Sequence, residues 1–307
     1  MDAQERSSHI ATLRATPGRL KAALSGVPRS LQVWPPAPGK WSILEIVCHM
    51  RDMERDAYIA RFRRILAEEN PSLPDIDGDL YSLEGDYRAQ RLSEVLRDWK
   101  SQRRETLKIL GGLREAQWRR PGTHETAGPL TMEDLLRRLS VGNDEAHLDQ
   151  IEAIKRRFAI LGRLEASPRA LAEALKGASD ERLRRSPGPG KWSMLENLCH
   201  LRDIERLYAE RFSKMAFSER PRLWMMDNAR VSEKLRYNEA DPAAVSKEFR
   251  RRREDTLVLL RALPHAAWRR TGVHPKRGEL TVEQLADVAA QHTEGHIARI
   301  RELGGAA

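Results

Sequence analysis

One phrase occurs twice in this chain. Pro38-Gly39-Lys40-Trp41-Ser42, followed by Leu44, Glu45, Cys48, His49, Arg51, Asp52, Glu54 and Arg55, returns as Pro189-Gly190-Lys191-Trp192-Ser193. The second copy continues with Leu195, Glu196, Cys199, His200, Arg202, Asp203, Glu205 and Arg206, at an offset of 200 − 49 = 151. A chain that repeats at half its length reads as two copies of one unit, and 307 residues leave each copy enough chain for its own core. Later matches keep their order while the offset shrinks, to 268 − 118 = 150 between Trp118 and Trp268 and to 296 − 147 = 149 between His147 and His296.

Helical periodicity runs through both copies. Ile10, Leu13, Leu20, Ala23 and Leu24 predict a first helix over about residues 5–25, kinked at Pro17-Gly18. Ser42 with Glu45, and Ser193 with Glu196, are capping boxes that start a second helix at the same place in each copy. Asn70-Pro71 ends it, and the polar stretch from Pro71 to Tyr87 reads as a loop; its counterpart, Pro221 to Tyr237, is more apolar, with Trp224, Met225 and Met226. A third helix is expected over about residues 91–110, and a fourth from the caps Thr131 and Thr281. Gly162 is expected to break the fourth helix, and Leu164 to Leu175 then repeats the first. No stretch alternates convincingly as a strand. The expectation is an all-α chain of two tandem four-helix bundles, residues 1–160 and 161–307, packed as a pseudo-dimer within one polypeptide.

Net charge is +9, from 54 Lys and Arg against 45 Asp and Glu. The bases are interleaved with acids, and the run Arg250 to Arg253 spans nearly a full helical turn, so it forms no single basic face. A solvated surface is expected rather than a nucleic-acid partner. No apolar run is long enough to cross a membrane, and the N-terminus does not read as a secretory leader, so a cytoplasmic protein is expected. Cys48 and Cys199 are equivalent positions, expected as separate buried thiols rather than a disulfide.

The histidines carry the chemistry. His292 and His296 stand four apart on the fourth helix and therefore share one face, while His200 lies on the inward edge of the second helix. Three imidazoles from facing helices suit Zn²⁺, Ni²⁺ or Fe²⁺ and leave an open position for water or substrate. The first copy keeps His49 and His147 but has Asn143 where the second has His292, since 292 − 143 = 149. A weakened or lost site is expected there, the alternative being binding through His49, His147 and a carboxylate such as Asp144. Asp52 and Asp203, one turn after the shared histidine, are candidates to accept an imidazole N–H or to act as a base beside bound water. Glu54 and Glu205 point elsewhere and read as structural, Trp41 and Trp192 as packing residues, and His124 and His274 as loop histidines bonded to backbone.

With these residues in place, both halves resemble the DinB-like superfamily. The Gly-Lys-Trp-Ser phrase before His49 or His200, the tryptophan-to-histidine connection before the fourth helix, and the closing His147-Leu148-Asp149-Gln150-Ile151 carry the resemblance. It implies a four-helix bundle with a three-histidine divalent metal site, usually in dimers, the ligands here being His200, His292 and His296, and in the first copy His49, Asn143 and His147. Related branches include thiol S-transferases and isomerases that use bacillithiol, mycothiol or a similar low-molecular-weight thiol. The reading is a metal-dependent enzyme in which the ion activates a thiol or water for S-transfer or hydrolysis of a small-molecule substrate. The alternative is a non-catalytic stress-response scaffold with a vestigial metal site.

Overall fold

The computed structural model describes residues 1–305. Two compact units emerge: Met1–Pro35 with Gly39–Arg156, and Arg157–Ala307 with Pro36–Pro38.

In unit 1, α1 (Ala3–Leu24) begins at a capping box between Asp2 and Glu5. The expected kink at Pro17 does not end or divide the helix. Proline has no N–H to offer the carbonyl four residues back, and Arg103 Nη1 donates to that Leu13 oxygen instead, at 3.2 Å. Helix α2 starts at the Ser42 box as Ile43–Asp52, widens into a π-helical turn over Met53–Ile59, and resumes as Ala60–Ala67. Helix α3 is Leu92–Gly111. Helix α4 starts on the Thr131–Asp134 box as Met132–Arg137, passes through a second π-helical stretch, Arg138–Glu145, and runs on as Ala146–Leu175. The break expected at Gly162 does not occur. Its Cβ position faces open space, and one exposed glycine costs a helix only about 1 kcal/mol.

Unit 2 takes its first helix from the far end of α4 and adds α5 (Met194–Phe217), α6 (Pro242–Ala262) and α7 (Val282–Gly305). Here Pro168 frees the carbonyl of Leu164, which accepts from Ser167 Oγ at 2.6 Å and Arg253 Nη1 at 3.3 Å. Buried Leu13, Phe62, Ile65, Leu135 and Leu139 centre the core of unit 1. Leu195, Leu198, Phe249, Ile297 and Ile300 centre that of unit 2.

The π-helical turns explain the drifting offset. Glu54 matches Glu205 at 151, whereas Tyr58 matches Tyr208 at 150; Leu135 matches Leu285 at 150, whereas Asn143 matches His292 at 149. Each loss of one therefore falls inside a π-helical stretch of unit 1 whose counterpart in unit 2 is regular α-helix. A π turn is an α-helix holding one extra residue.

Two regions expected as irregular are ordered. The polar loop after α2 contains a short helix, Gly78–Glu84, capped by Asp77, and its counterpart is Asn228–Lys234, capped by Asp227. The connection before the last helix of each unit is a hairpin. In unit 1, β1 (Ser72–Leu73) lies parallel to β2 (Pro121–His124), which pairs with β3 (Gly128–Thr131) from Pro121↔Thr131 to His124↔Gly128. In unit 2, β4 (Thr271–His274) pairs with β5 (Gly278–Thr281) in the same register. Gly122 and Gly272 are required by close approach: a Cβ there would meet Leu73 or Met215 at 2.8 Å.

Each bundle also encloses an arginine. Arg103 pairs with Glu54 at 2.7 Å and Asp144 at 2.6 Å, and Thr106 Oγ1 donates to Glu54 at 2.5 Å. In unit 2, Arg253 pairs with Glu205 at 2.7 Å and donates to Thr293 Oγ1 and Ser167 Oγ. Glu54 and Glu205 are structural, as their helical phase implied.

Candidate metal centre

His200 leaves α5, and His292 and His296 leave α7 one turn apart; one ligand nitrogen from each lies within 4.8 Å of the others. His200 is 1% exposed and the other two are partly buried. The Nε2 atoms of His200 and His292 face each other at 3.3 Å. Two nitrogens bound to one tetrahedral ion at ~2.05 Å stand ~3.3 Å apart, so this spacing fits a shared ligand. Two facing imidazole lone pairs without a cation or proton between them would repel, and a divalent ion satisfies both.

Asn197 fixes the third ring. Its Oδ1 lies 2.8 Å from His296 Nδ1, while its own Nδ2 donates to the Ser193 carbonyl at 2.7 Å. Because that amide is thereby oriented, its oxygen accepts Nδ1–H, and the Nε2 lone pair of His296 is left free for an ion. The Nδ1 atoms of His200 and His292 are buried without a partner, so Asn197 supplies the centre's one protein-set tautomer among the described residues. Trp192 lies 4.9 Å from His200, and Tyr208 meets His292 edge-on at 6.1 Å, ring centre to ring centre.

Desolvation keeps these rings neutral. It pushes His200 down to about 3 and His292 to about 4, helped by the neighbouring imidazoles, and lowers His296 as well. An unfolded histidine titrates near 6.5, so the stability gained from neutral rings is whole above that pH and is lost as pH falls toward the depressed folded values. At pH 5 the loss is expected to reach about 2 kcal/mol for each of His200 and His292. Denaturant unfolding of the metal-free protein from pH 8 to pH 5 measures it; a variant with both replaced by glutamine should show a flatter profile, and an identical one would refute the assignment.

The model of the DinB superfamily matches residues 12–151 and again residues 163–300. The chain belongs to the DinB superfamily. Among curated relatives, uncharacterised YuaE of Bacillus subtilis (strain 168) is 26% identical over 142 residues, spanning 42% of this chain and 87% of its own. YfiT of the same organism, named as an inferred metal-dependent hydrolase, is 26% identical over 156 residues, spanning 50% of this chain and 86% of its own. The solved structure of YfiT, described as an inferred metal-dependent hydrolase of unusual four-helix bundle topology, covers 52% of this chain and 90% of its own, with 26% identity and a TM-score of 0.49.

The first DinB copy has the scaffold without the full set. His49 and His147 approach edge-on at 5.1 Å, and buried Asn143 occupies the third position. Asp144, considered as a substitute ligand, is instead committed to Arg103. Ile46 stands where unit 2 has Asn197, so His147 Nδ1 meets Gln150 Oε1 at 3.1 Å. Gly78 closes over this copy: a Cβ there would lie 3.1 Å from the His49 ring.

Asp203 does not accept an imidazole N–H from His200, whose Nδ1 has no partner. Arg202 and Arg252 donate to its carboxylate, and Tyr237 Oη donates to it at 2.7 Å; Asp52 is held alike by Arg51 and Tyr87. These donors keep both carboxyls below the ordinary range against the opposing pull of burial. Both therefore tie the histidine-bearing helix to the segment before the third helix. His124 and His274 accept backbone N–H groups at Nδ1, as loop histidines do. Cys48 and Cys199 are free and buried, and desolvation raises the thiols to about 12 and about 11. Asn197 is the site residue that sequence reasoning missed. The signal was available as a polar side chain on a buried helix face where the first copy has isoleucine.

Proposed function

We propose that this DinB-superfamily chain is a metal-dependent enzyme with one working centre, in unit 2, where His200, His292 and His296 hold a single divalent ion through Nε2. The convergence of three neutral imidazoles, one locked in the ligating tautomer by Asn197, carries this reading. Three protein ligands leave a tetrahedral ion one open position, the form that catalytic rather than structural sites take. The ion would supply Lewis acidity there, bringing a water or thiol toward its nucleophilic form near neutral pH. The chain's own residues set the stage: Asn197 orients one ring, and Trp192 and Tyr208 pack against the imidazoles and limit water.

Hydrolysis, with water as the nucleophile, is the reading favoured by the inferred activity of YfiT. S-transfer would use the same open position with a low-molecular-weight thiol. Unit 1, with Asn143, Ile46 and the close Gly78, is read as a scaffold that does not retain an ion. The test is metal content by mass spectrometry on protein purified without a histidine tag. One Zn, Ni or Fe per chain is expected for wild type and essentially none for His296→Ala; a wild type without stoichiometric metal overturns the proposal.

A further inference from the structure

The two units differ in charge around the histidine of the hairpin. In unit 1, the surroundings of His124 on β2 are balanced: Arg61 and Arg138 act on it against Asp75 and Glu125. In unit 2, the equivalent His274 on β4 feels Arg211, Arg277 and Lys276, with no acid opposing them. At the offset of 150, Asp75 has become Met225, Glu125 has become Pro275, and Thr126-Ala127 has become Lys276-Arg277; Arg138 has no basic counterpart. The unit with three histidines has thus lost two local acids and gained two bases in place of neutral residues.

Arg211 acts on both His274 and His292. It is 4% exposed, and its guanidinium lies 5.7 Å from the ring of Tyr208, which itself meets His292. Nη2 donates to the Trp224 carbonyl at 2.5 Å, but Nε is buried without a partner, and Glu210, the acid that acts on this side chain, is itself held by Lys214 and Trp224 Nε1. Its counterpart Arg61 donates likewise to the Pro74 carbonyl at 2.7 Å, with Asp75 as the acid acting on it. A buried guanidinium N–H left without an acceptor is costly, and such groups in native proteins ordinarily meet a partner.

We propose that Arg211 receives an oxyanion of the substrate, carboxylate or phosphate, with Lys276 and Arg277 in the turn of the neighbouring hairpin, so that the centre in unit 2 acts on anionic molecules. This deepens the reading of unit 2 as the working site and rests on it. Guanidinium–oxyanion hydrogen bonds are among the stronger ones available to a site.

Calorimetric titration of the metal-free full-length protein with succinate and, separately, inorganic phosphate tests it, the tighter of the two naming the oxyanion. Wild type is expected to bind one equivalent and Arg211→Gln to bind about tenfold or more weakly, with Arg61→Gln unchanged. Met225→Asp restores the acid that unit 1 carries, at a position 39% exposed and therefore tolerant; it should weaken anion binding as much without disturbing the fold. No saturable binding to wild type, or wild-type binding by both Arg211→Gln and Met225→Asp, overturns the proposal. Zinc titration of the same samples judges the metal reading separately: zinc bound without an anion sinks this inference alone.

Discussion

Arg103→Leu is expected to destabilise unit 1 by about 3–5 kcal/mol, while Arg253→Leu should cost unit 2 less. Removing Arg103 leaves two carboxylates, Glu54 and Asp144, buried without a counter-charge, and strips the Leu13 carbonyl of the donor that replaces the N–H missing at Pro17. Removing Arg253 strands one carboxylate, Glu205, because Thr293 stands where unit 1 has Asp144. The Leu164 carbonyl also keeps Ser167 as a second donor. Urea unfolding followed by circular dichroism should show a large early shift for Arg103→Leu and a smaller one for Arg253→Leu. Equal shifts in the two variants would refute the charge argument.

His292→Asn should lower bound metal from one ion per chain to near none, because it rewrites unit 2 in the form of unit 1. An amide oxygen is a poorer donor than imidazole for borderline ions, and the change removes one of the two nitrogens facing each other at 3.3 Å. Asn197→Ile copies the other difference between the units and leaves all three ligands in place. Its effect is graded: loss of the group orienting His296 should weaken zinc about 10- to 100-fold. Competition against a chromophoric chelator measures both. Undiminished affinity in Asn197→Ile would mean that the 2.8 Å contact does not set the tautomer.

The parts of the fold legible in the sequence were those written in short-range spacing. The boxes at Ser42, Ser193 and Thr281 form as read, because a cap needs only residues three apart. The His292–His296 pair shares a face for the same reason. Features depending on distant partners were not legible. Asp203 has the spacing of a helper to His200, but Tyr237, thirty-four residues on, and Arg252 on α6 take its carboxylate. The hairpins escaped notice because strands of four residues containing glycine and threonine carry too little alternation to distinguish them from loops. The π turns appeared in the sequence as a slipping offset, which counts an extra residue without saying that a helix can absorb it.

The widened turns have a consequence for what such a chain can tolerate. One residue inserted into a regular helix carries everything beyond it round by about 100°, which would swing His147 out of the bundle. Unit 1 takes up its extra residue on α4 between Leu135 and Asn143, and His147 still meets His49. The stretch behaves as a slip joint: the end that packs against the hairpin and the end that carries the histidines can differ in length by one residue without losing alignment. Deleting one residue from Arg138–Glu145 is thus a change toward the regular helix of unit 2 rather than an injury to the fold.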